Sequence, residues 1–305
     1  MDLNKDLTRI LGFSLLDWFK DKEMLKYLVV LIVIYVVFSF GMLVMAVNSF
    51  SGISNNMTNP MEIIPILLGF YAMMGLILIP FIIVAVVASY LIIARGLKLS
   101  KKTSTRINLT RFVKYIILEI MSGLVATLSL FNVKYLLIGF VGFILTILGF
   151  IMLPLGISAI ALAGALIGIG VLLLIAYCVI VVYNSIRLSV GEVIFVEGEK
   201  SIMKSLEKSW KITKGNVLNI FIAELVLAVI LMIINFVVTI PAMAYSMIIS
   251  IASVMGGQVS NMTGLGIMAD PIYIMLLVPS FIVSAYFIVA GNLFIVGIYN
   301  SLKKN

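Results

Sequence analysis

Between Lys134 and Arg187 the chain reads YLLIGFVGFILTILGFIMLPLGISAIALAGALIGIGVLLLIAYCVIVVYNSI, 52 residues without a single charge. A membrane-spanning helix needs ~20 apolar residues, so this stretch has room for two crossings and a turn but not for three. Pro154-Leu155-Gly156 supplies the turn, because proline and glycine punctuate a helical pattern. The hairpin 135–186 is thus closed at both ends by a base, and it sets the pattern for the rest of the chain.

The 21 Lys and Arg fall in blocks that one side of a membrane can hold. Five precede residue 27, seven run from Arg95 to Lys114, Lys134 stands alone, six run from Arg187 to Lys214, and Lys303 and Lys304 close the chain. An excess of bases marks short cytoplasmic loops, so both termini are expected inside. Tyr27–Val47 and Ile63–Ala94 form a first pair of spans. Val217–Pro241 and Ile272–Tyr299 form another, joined by a segment, Ser250–Ala269, that carries no base. Pro65 and Pro80 are expected bends. Phe112–Phe131 carries Lys114 and Glu119, and its uncharged remainder is short. An odd number of crossings would also strand one basic block outside. It is expected as a cytoplasmic-side or partly inserted helix.

The expectation is an all-α polytopic transmembrane bundle of about six spans in three hairpins, one integral membrane domain over 1–305. Its parts are an amphipathic helix in 1–26, hairpins at 27–94, 135–186 and 217–299, and a basic region at 95–134. A second amphipathic region at 187–216 and a tail at 300–305 complete it. With 63% hydrophobic and 11% charged residues the composition lies far from soluble domains. The net charge of +8 sits in loops, where topology accounts for it, so nucleic acid is not an expected partner. Clustered bases beside spans attract anionic lipid head groups. No cleavable secretory signal is expected at the N-terminus. Cys178, the one cysteine, lies in an apolar run, so no internal disulfide can form.

The chain reads as three similar units, each an amphipathic helix followed by two spans. Leu3, Leu7, Ile10, Leu11, Leu15, Trp18 and Phe19 recur at helical spacing, the signature of a helix lying in the interface, with Trp18 suited to head-group depth. Ile202, Leu206 and Trp210 repeat at four-residue intervals over Ser201–Thr213, and Gly215 is placed to end that helix. Trp18 and Trp210 are the expected interfacial anchors. Tyr183-Asn184-Ser185-Ile186-Arg187 and Tyr299-Asn300-Ser301-Leu302-Lys303 match as span exits, and Ala94-Arg95-Gly96-Leu97-Lys98 is a weaker third. Asn-Met-Thr occurs at Asn56–Thr58 and again at Asn261–Thr263.

Histidine is absent from the chain. That removes Ser-His and Cys-His nucleophile pairs, the two-histidine zinc helix and histidine proton relays. One cysteine makes no thiolate cluster, and no Walker-type glycine loop occurs, so no cofactor, no metal and no catalytic set are expected. Gly164 and Gly168, beside Ala161 and Ala165, have the spacing that lets helices pack closely. Asn184, Asn235 and Asn292 read as interhelical hydrogen-bonding groups. Glu224 and Glu119 are the candidate functional acids, since an ionisable residue at membrane depth is a functional hypothesis by default. Ile220, Glu224, Leu227 and Leu231 form one stripe, expected to face neighbouring spans, with Asn184, Asn300 or Arg187 as partners for the carboxyl group.

At Trp18-Phe19-Lys20-Asp21-Lys22, and again at Val196-Glu197-Gly198, Ser205, Ser209-Trp210 and Thr213-Lys214-Gly215, the chain resembles a known group. These are the six-span archaeal and bacterial membrane proteins related to the membrane domain that precedes some glycerophosphodiester phosphodiesterases. The resemblance implies the six-span architecture and no particular activity. The phosphodiesterase catalytic domain is not expected within these residues, and without histidine neither is its chemistry. Two functions stand at this stage. One is a non-enzymatic protein of the cytoplasmic membrane that organises or accompanies lipid and protein, with the bilayer and anionic head groups as partners. The alternative is a permease for a small or lipophilic solute using Glu224.

Overall fold

The computed structural model describes residues 3–55, 60–100, 108–130, 133–155, 157–255 and 270–303. Among them every regular element is a helix, and six stretches are long and apolar enough to cross a membrane: Lys22–Met45, Leu68–Leu99, Lys134–Met152, Ala159–Glu197, Val217–Ala252 and Pro271–Leu302. The protein is an all-α, multi-pass membrane protein. The helices are α1 (Leu3–Leu15), α2 (Lys22–Asn55), α3 (Pro60–Leu99), α4 (Leu109–Thr127), α5 (Lys134–Met152), α6 (Ile157–Leu188), α7 (Gly191–Glu197), α8 (Ile202–Ile212), α9 (Val217–Met255) and α10 (Pro271–Leu302). A helix that is not among the six spans precedes each hairpin: α1 before α2 and α3, α4 before α5 and α6, α8 before α9 and α10. The Asn-Met-Thr segments lie outside the described residues.

The spans continue past their expected ends. α9 continues as helix past Pro241, and α3 past Pro65 and Pro80. A mean hydropathy that stays high along these helices gives the chain no reason to stop. α4 is not among the six spans, in keeping with Arg111, Lys114 and Glu119 along it. Its start is fixed by Asn108, whose side-chain oxygen accepts the Arg111 N–H at 2.8 Å.

Contacts divide the chain into two compact units. One consists of Met1–Leu3, Leu97–Ile222 and Ile298–Asn305. Its membrane part is the α5–α6 hairpin, packed through glycines. A Cβ on Gly142 would stand 2.9 Å from the Leu173 Cβ and 3.0 Å from the Gly170 carbonyl oxygen, so the two helices meet at backbone distance there. Gly139 closes the same face against the Tyr177 ring. The expected packing pair, Gly164 and Gly168, is on the other side: a Cβ on either would meet nothing within 4 Å. The helix turns Ala163 and Gly170 inward instead, both buried, and leaves Ala161, Gly164, Ala165 and Gly168 outside.

The other unit consists of Asn4–Gly96 and Ala223–Gly297. Its core gathers Trp18, Met24, Leu31, Ala88, Ile92, Ala285, Val289 and Leu293. Leu3–Phe19, expected as one helix, is α1 followed by a tight 3-10 turn over Asp17–Lys20. Asp21 then starts α2: its Oδ1 accepts the N–H groups of Glu23 and Met24, and the same carboxylate takes the Arg95 guanidinium at 2.6 Å. The weak third member of the span exits thus has its own task. It pins the end of α3 to the start of α2. The Asn292 amide donates to Ser89 Oγ at 3.2 Å across α10 and α3, one of the interhelical bonds expected of the intramembrane asparagines.

Candidate functional site

The polar structure of the first unit grows from α7 and α8. α8 was expected to lie on the membrane through Ile202, Leu206 and Trp210. Its buried residues are instead Ser205, Leu206 and Ser209, with Thr213 buried just beyond its end. A face of small hydroxyl residues lets the helix dock on protein, and the hydroxyls then need partners. Ser209 Oγ and Thr213 Oγ1 both donate to the Arg187 carbonyl, at 2.8 and 3.2 Å. The Arg187 guanidinium lies 3.8 Å over the Trp210 ring and donates to the Trp210 carbonyl. The exit of α6 and the end of α8 are thereby tied backbone to side chain in both directions. Gly215, with φ of +84°, makes the left-handed turn into α9.

On its other side α7 is held by α4. Arg111 donates to the carbonyls of Phe195 (2.8 Å) and Glu199 (3.1 Å), which α7 leaves open at its C-terminal end, and its guanidinium stacks over the Phe195 ring. Tyr115 donates to Glu192 Oε2 at 2.8 Å. Glu119, one of the two candidate acids, stands half-buried one turn along α4. Burial, with Glu192 nearby, pushes its carboxyl up to about 7, offset in part by a hydrogen bond with Tyr115. Two carboxyl groups converging on one phenol is a proton-sharing arrangement. Among the described residues no cluster of three metal-binding side chains occurs.

Between α7, α8 and the end of α10 opens a cleft of about 670 Å³. Lys200, Lys204, Lys208 and Lys303 line it, together with Glu197, Glu199 and Tyr299. The acids are spent on fixing two of the four bases. Glu199 pairs with Lys208, which holds its carboxyl below the usual range, and it accepts the N–H groups of Lys200 and Ser201. Glu197 takes Lys303 at 2.8 Å and the Tyr299 hydroxyl. Lys200 and Lys204 form no ion pair among the described residues, and both are exposed at the start of α8. The open N–H groups of that first turn add positive potential. Around these two bases the cleft presents positive charge, the kind of surface an anion meets favourably. The sequence marks these lysines as topology signals and as bases that attract anionic head groups, but not as parts of one cleft. The available signal was the four-residue spacing of Lys204 and Lys208, which puts them along one line of α8, with Lys200 just ahead of its first turn.

The remaining candidates fall elsewhere. Glu224 lies about 10 Å along α9 from its first residue. It sits on the protected stripe: Ile220 and Leu227 are buried and Glu224 and Leu231 half-buried, whereas Leu218, Leu225 and Met232 are exposed. Two of the three expected partners, Asn184 and Arg187, are engaged otherwise, while the Asn300 Oδ1 is buried without a hydrogen-bond partner among the described residues. Asn184 donates to the Ala126 carbonyl and Ser129 Oγ on the α4 side, and Arg187 serves Trp210. Trp18, expected at head-group depth, is fully buried, with its Nε1 donating to the Ser14 carbonyl at 2.9 Å. Leu16 and Phe19 are the exposed apolar groups beside it. Trp210 is half-buried under Arg187. Finally, Ile175, Cys178, Val179, Val182, Leu218 and Phe221 bound an apolar groove of about 820 Å³ between α6 and the first turns of α9.

No protein-family model matches this chain, and comparison with curated proteins and with solved structures gives no match either.

Proposed function

We propose that this is a non-enzymatic integral membrane protein that holds anionic lipid head groups at the cytoplasmic face of the cell membrane, with both termini inside. The observation that carries this reading is the lysine cleft. Four ammonium groups line one concavity, two are fixed by carboxylates, and two stand free beside a helix N-terminus. Basic clusters next to spans draw anionic lipids with about 1 kcal/mol per base near the surface. The one-sided distribution of Lys and Arg supports the orientation. The order of a helix outside the six spans before each hairpin supports kinship with the membrane domain of glycerophosphodiester phosphodiesterases, which we include in the proposal.

Protein in phosphatidylcholine nanodiscs, titrated with phosphatidylglycerol, tests the reading through thermal stability. The wild type gains stability with the anionic lipid, and Lys200→Gln/Lys204→Gln gains less. Equal gains in both would refute the cleft as the head-group site. A second reading, a permease for a small or lipophilic solute, draws on Glu224, a half-buried carboxyl in a span with no hydrogen-bond or ion-pair partner among the described residues. Proteoliposome flux that disappears in Glu224→Gln would establish it over the first.

A further inference from the structure

We propose that the groove between α6 and α9 is a binding site for one anionic phospholipid of the cytoplasmic leaflet, with an acyl chain along the groove and the phosphate at its Gly215 end. The inference rests on the reading of the protein as one that holds lipid, but not on the lysine cleft. Three observations lead to it.

The first is length. Ile175 to Ile186 covers eleven helical steps, about 17 Å of α6. That matches half of a hydrocarbon core of ~30 Å, the depth one leaflet's chain fills. The second is chemistry along the walls. The lining is apolar from Ile175 to Phe221 apart from the Tyr183 hydroxyl and the Cys178 thiol, and no acid contributes to it. Both walls belong to spanning helices, so the medium that enters is lipid rather than water. The third is charge at one end only. Lys211 and Lys214 are exposed just before Gly215. Val217 and Leu218 line the groove and open α9, so their N–H groups have no partner inside the helix and offer themselves to an anion. Arg187 follows Ile186 at the same end; its guanidinium is committed to Trp210 and contributes positive potential rather than a direct contact. A phosphate there meets positive charge, while a zwitterionic head group brings its own ammonium into the same field.

Native mass spectrometry of the full-length protein, released from nanodiscs of equal phosphatidylglycerol and phosphatidylcholine, reads the site directly. The wild type should retain one phosphatidylglycerol in preference to phosphatidylcholine. Lys214→Gln should lower that preference by roughly fivefold, the weight of one surface base against an anionic lipid. Val182→Trp, which fills the groove at an exposed position, should abolish the retained lipid. Lys200→Gln/Lys204→Gln should leave it in place, which separates this site from the cleft. Cys178 gives a second readout in the unaltered protein: its modification by a membrane-permeant maleimide should slow as phosphatidylglycerol is added, and phosphatidylcholine should not slow it. Equal retention of the two lipids by the wild type, persistence of the bound lipid in Val182→Trp, or an unchanged Cys178 rate would each overturn the proposal.

Discussion

Asp21 accepts Arg95 with both carboxylate oxygens, at 2.6 and 3.2 Å, and one of the two also caps the first turn of α2. One side chain thereby closes the hairpin of α2 and α3 and starts its first helix. The two tasks are separable, because an amide keeps the cap and gives up the charge.

Asp21→Asn should cost about 1–2 kcal/mol, the worth of a charge-assisted bond, and Asp21→Ala about 1 kcal/mol more for the lost cap. Arg95 holds the Asp21 carboxyl below its ordinary value. A carboxyl with a lowered folded-state pKa stabilises above its unfolded value and loses that contribution as pH falls below it. The difference between wild type and Asp21→Asn should therefore be full at neutral pH and shrink below about pH 4. Thermal unfolding in detergent at pH 7 and pH 3.5 checks both statements.

Gly142 and Gly164 offer a paired test of which face of α6 meets α5. A methyl on Gly142 would press on the Leu173 Cβ and the Gly170 carbonyl, whereas one on Gly164 meets open space. Gly142→Ala should destabilise by about 1–3 kcal/mol, as overpacking at a backbone contact does. Gly164→Ala should be neutral or slightly stabilising through helix propensity. A reversed order, measured by unfolding in the same detergent, would mean that the hairpin packs by its other face.

Glu119 introduces a pH dependence of opposite sense to Asp21. Its carboxyl titrates near 7 in the folded protein against an ordinary value of 4.5. Between those values the folded state binds the extra proton, so stability falls as pH rises through the window and levels off above it. Glu119→Gln should remove this decline and melt above the wild type at pH 8, with the two converging near pH 4.5. Melting profiles of both proteins between pH 4.5 and 8 decide the point.

Arg187 should be irreplaceable by lysine. Its planar guanidinium both stacks on Trp210 and donates to the Trp210 carbonyl, a geometry an ammonium does not reproduce. Arg187→Lys should lose about 1 kcal/mol of stability and shift the Trp210 emission. Ser209 and Thr213 bond the residue 187 backbone, so α8 should stay docked and the far-ultraviolet spectrum should not change.

Much of this architecture can be read from the chain because spans announce themselves by length and charge. Lys114 and Glu119 were enough to keep α4 out of the count, and Gly215 marked the turn after α8. The packing face of α6 was not legible for a definite reason. The helix carries small residues on two sides, Ala161–Gly168 at four-residue spacing and Ala163 with Gly170 at seven, and periodicity alone does not choose between them. Only the partner does, through Gly139, Gly142 and Gly149 on α5. Trp18 misled similarly, since an amphipathic stripe looks the same whether it lies on lipid or on protein. The lysine cleft needed Lys303, a hundred residues away from Lys200, and no local pattern joins the two.

Tyr245 donates to Asp270 at 2.7 Å, linking α9 to the start of α10. From Val217 to Tyr245 the helix rises about 42 Å, well beyond a hydrocarbon core of ~30 Å. A helix of that length carries the bond beyond what a hydrocarbon core alone requires, and α9 continues ten residues further to Met255. The Tyr245–Asp270 bond thus ties the two helices together near the far end of their hairpin, where side-chain packing alone would leave the ends free to splay.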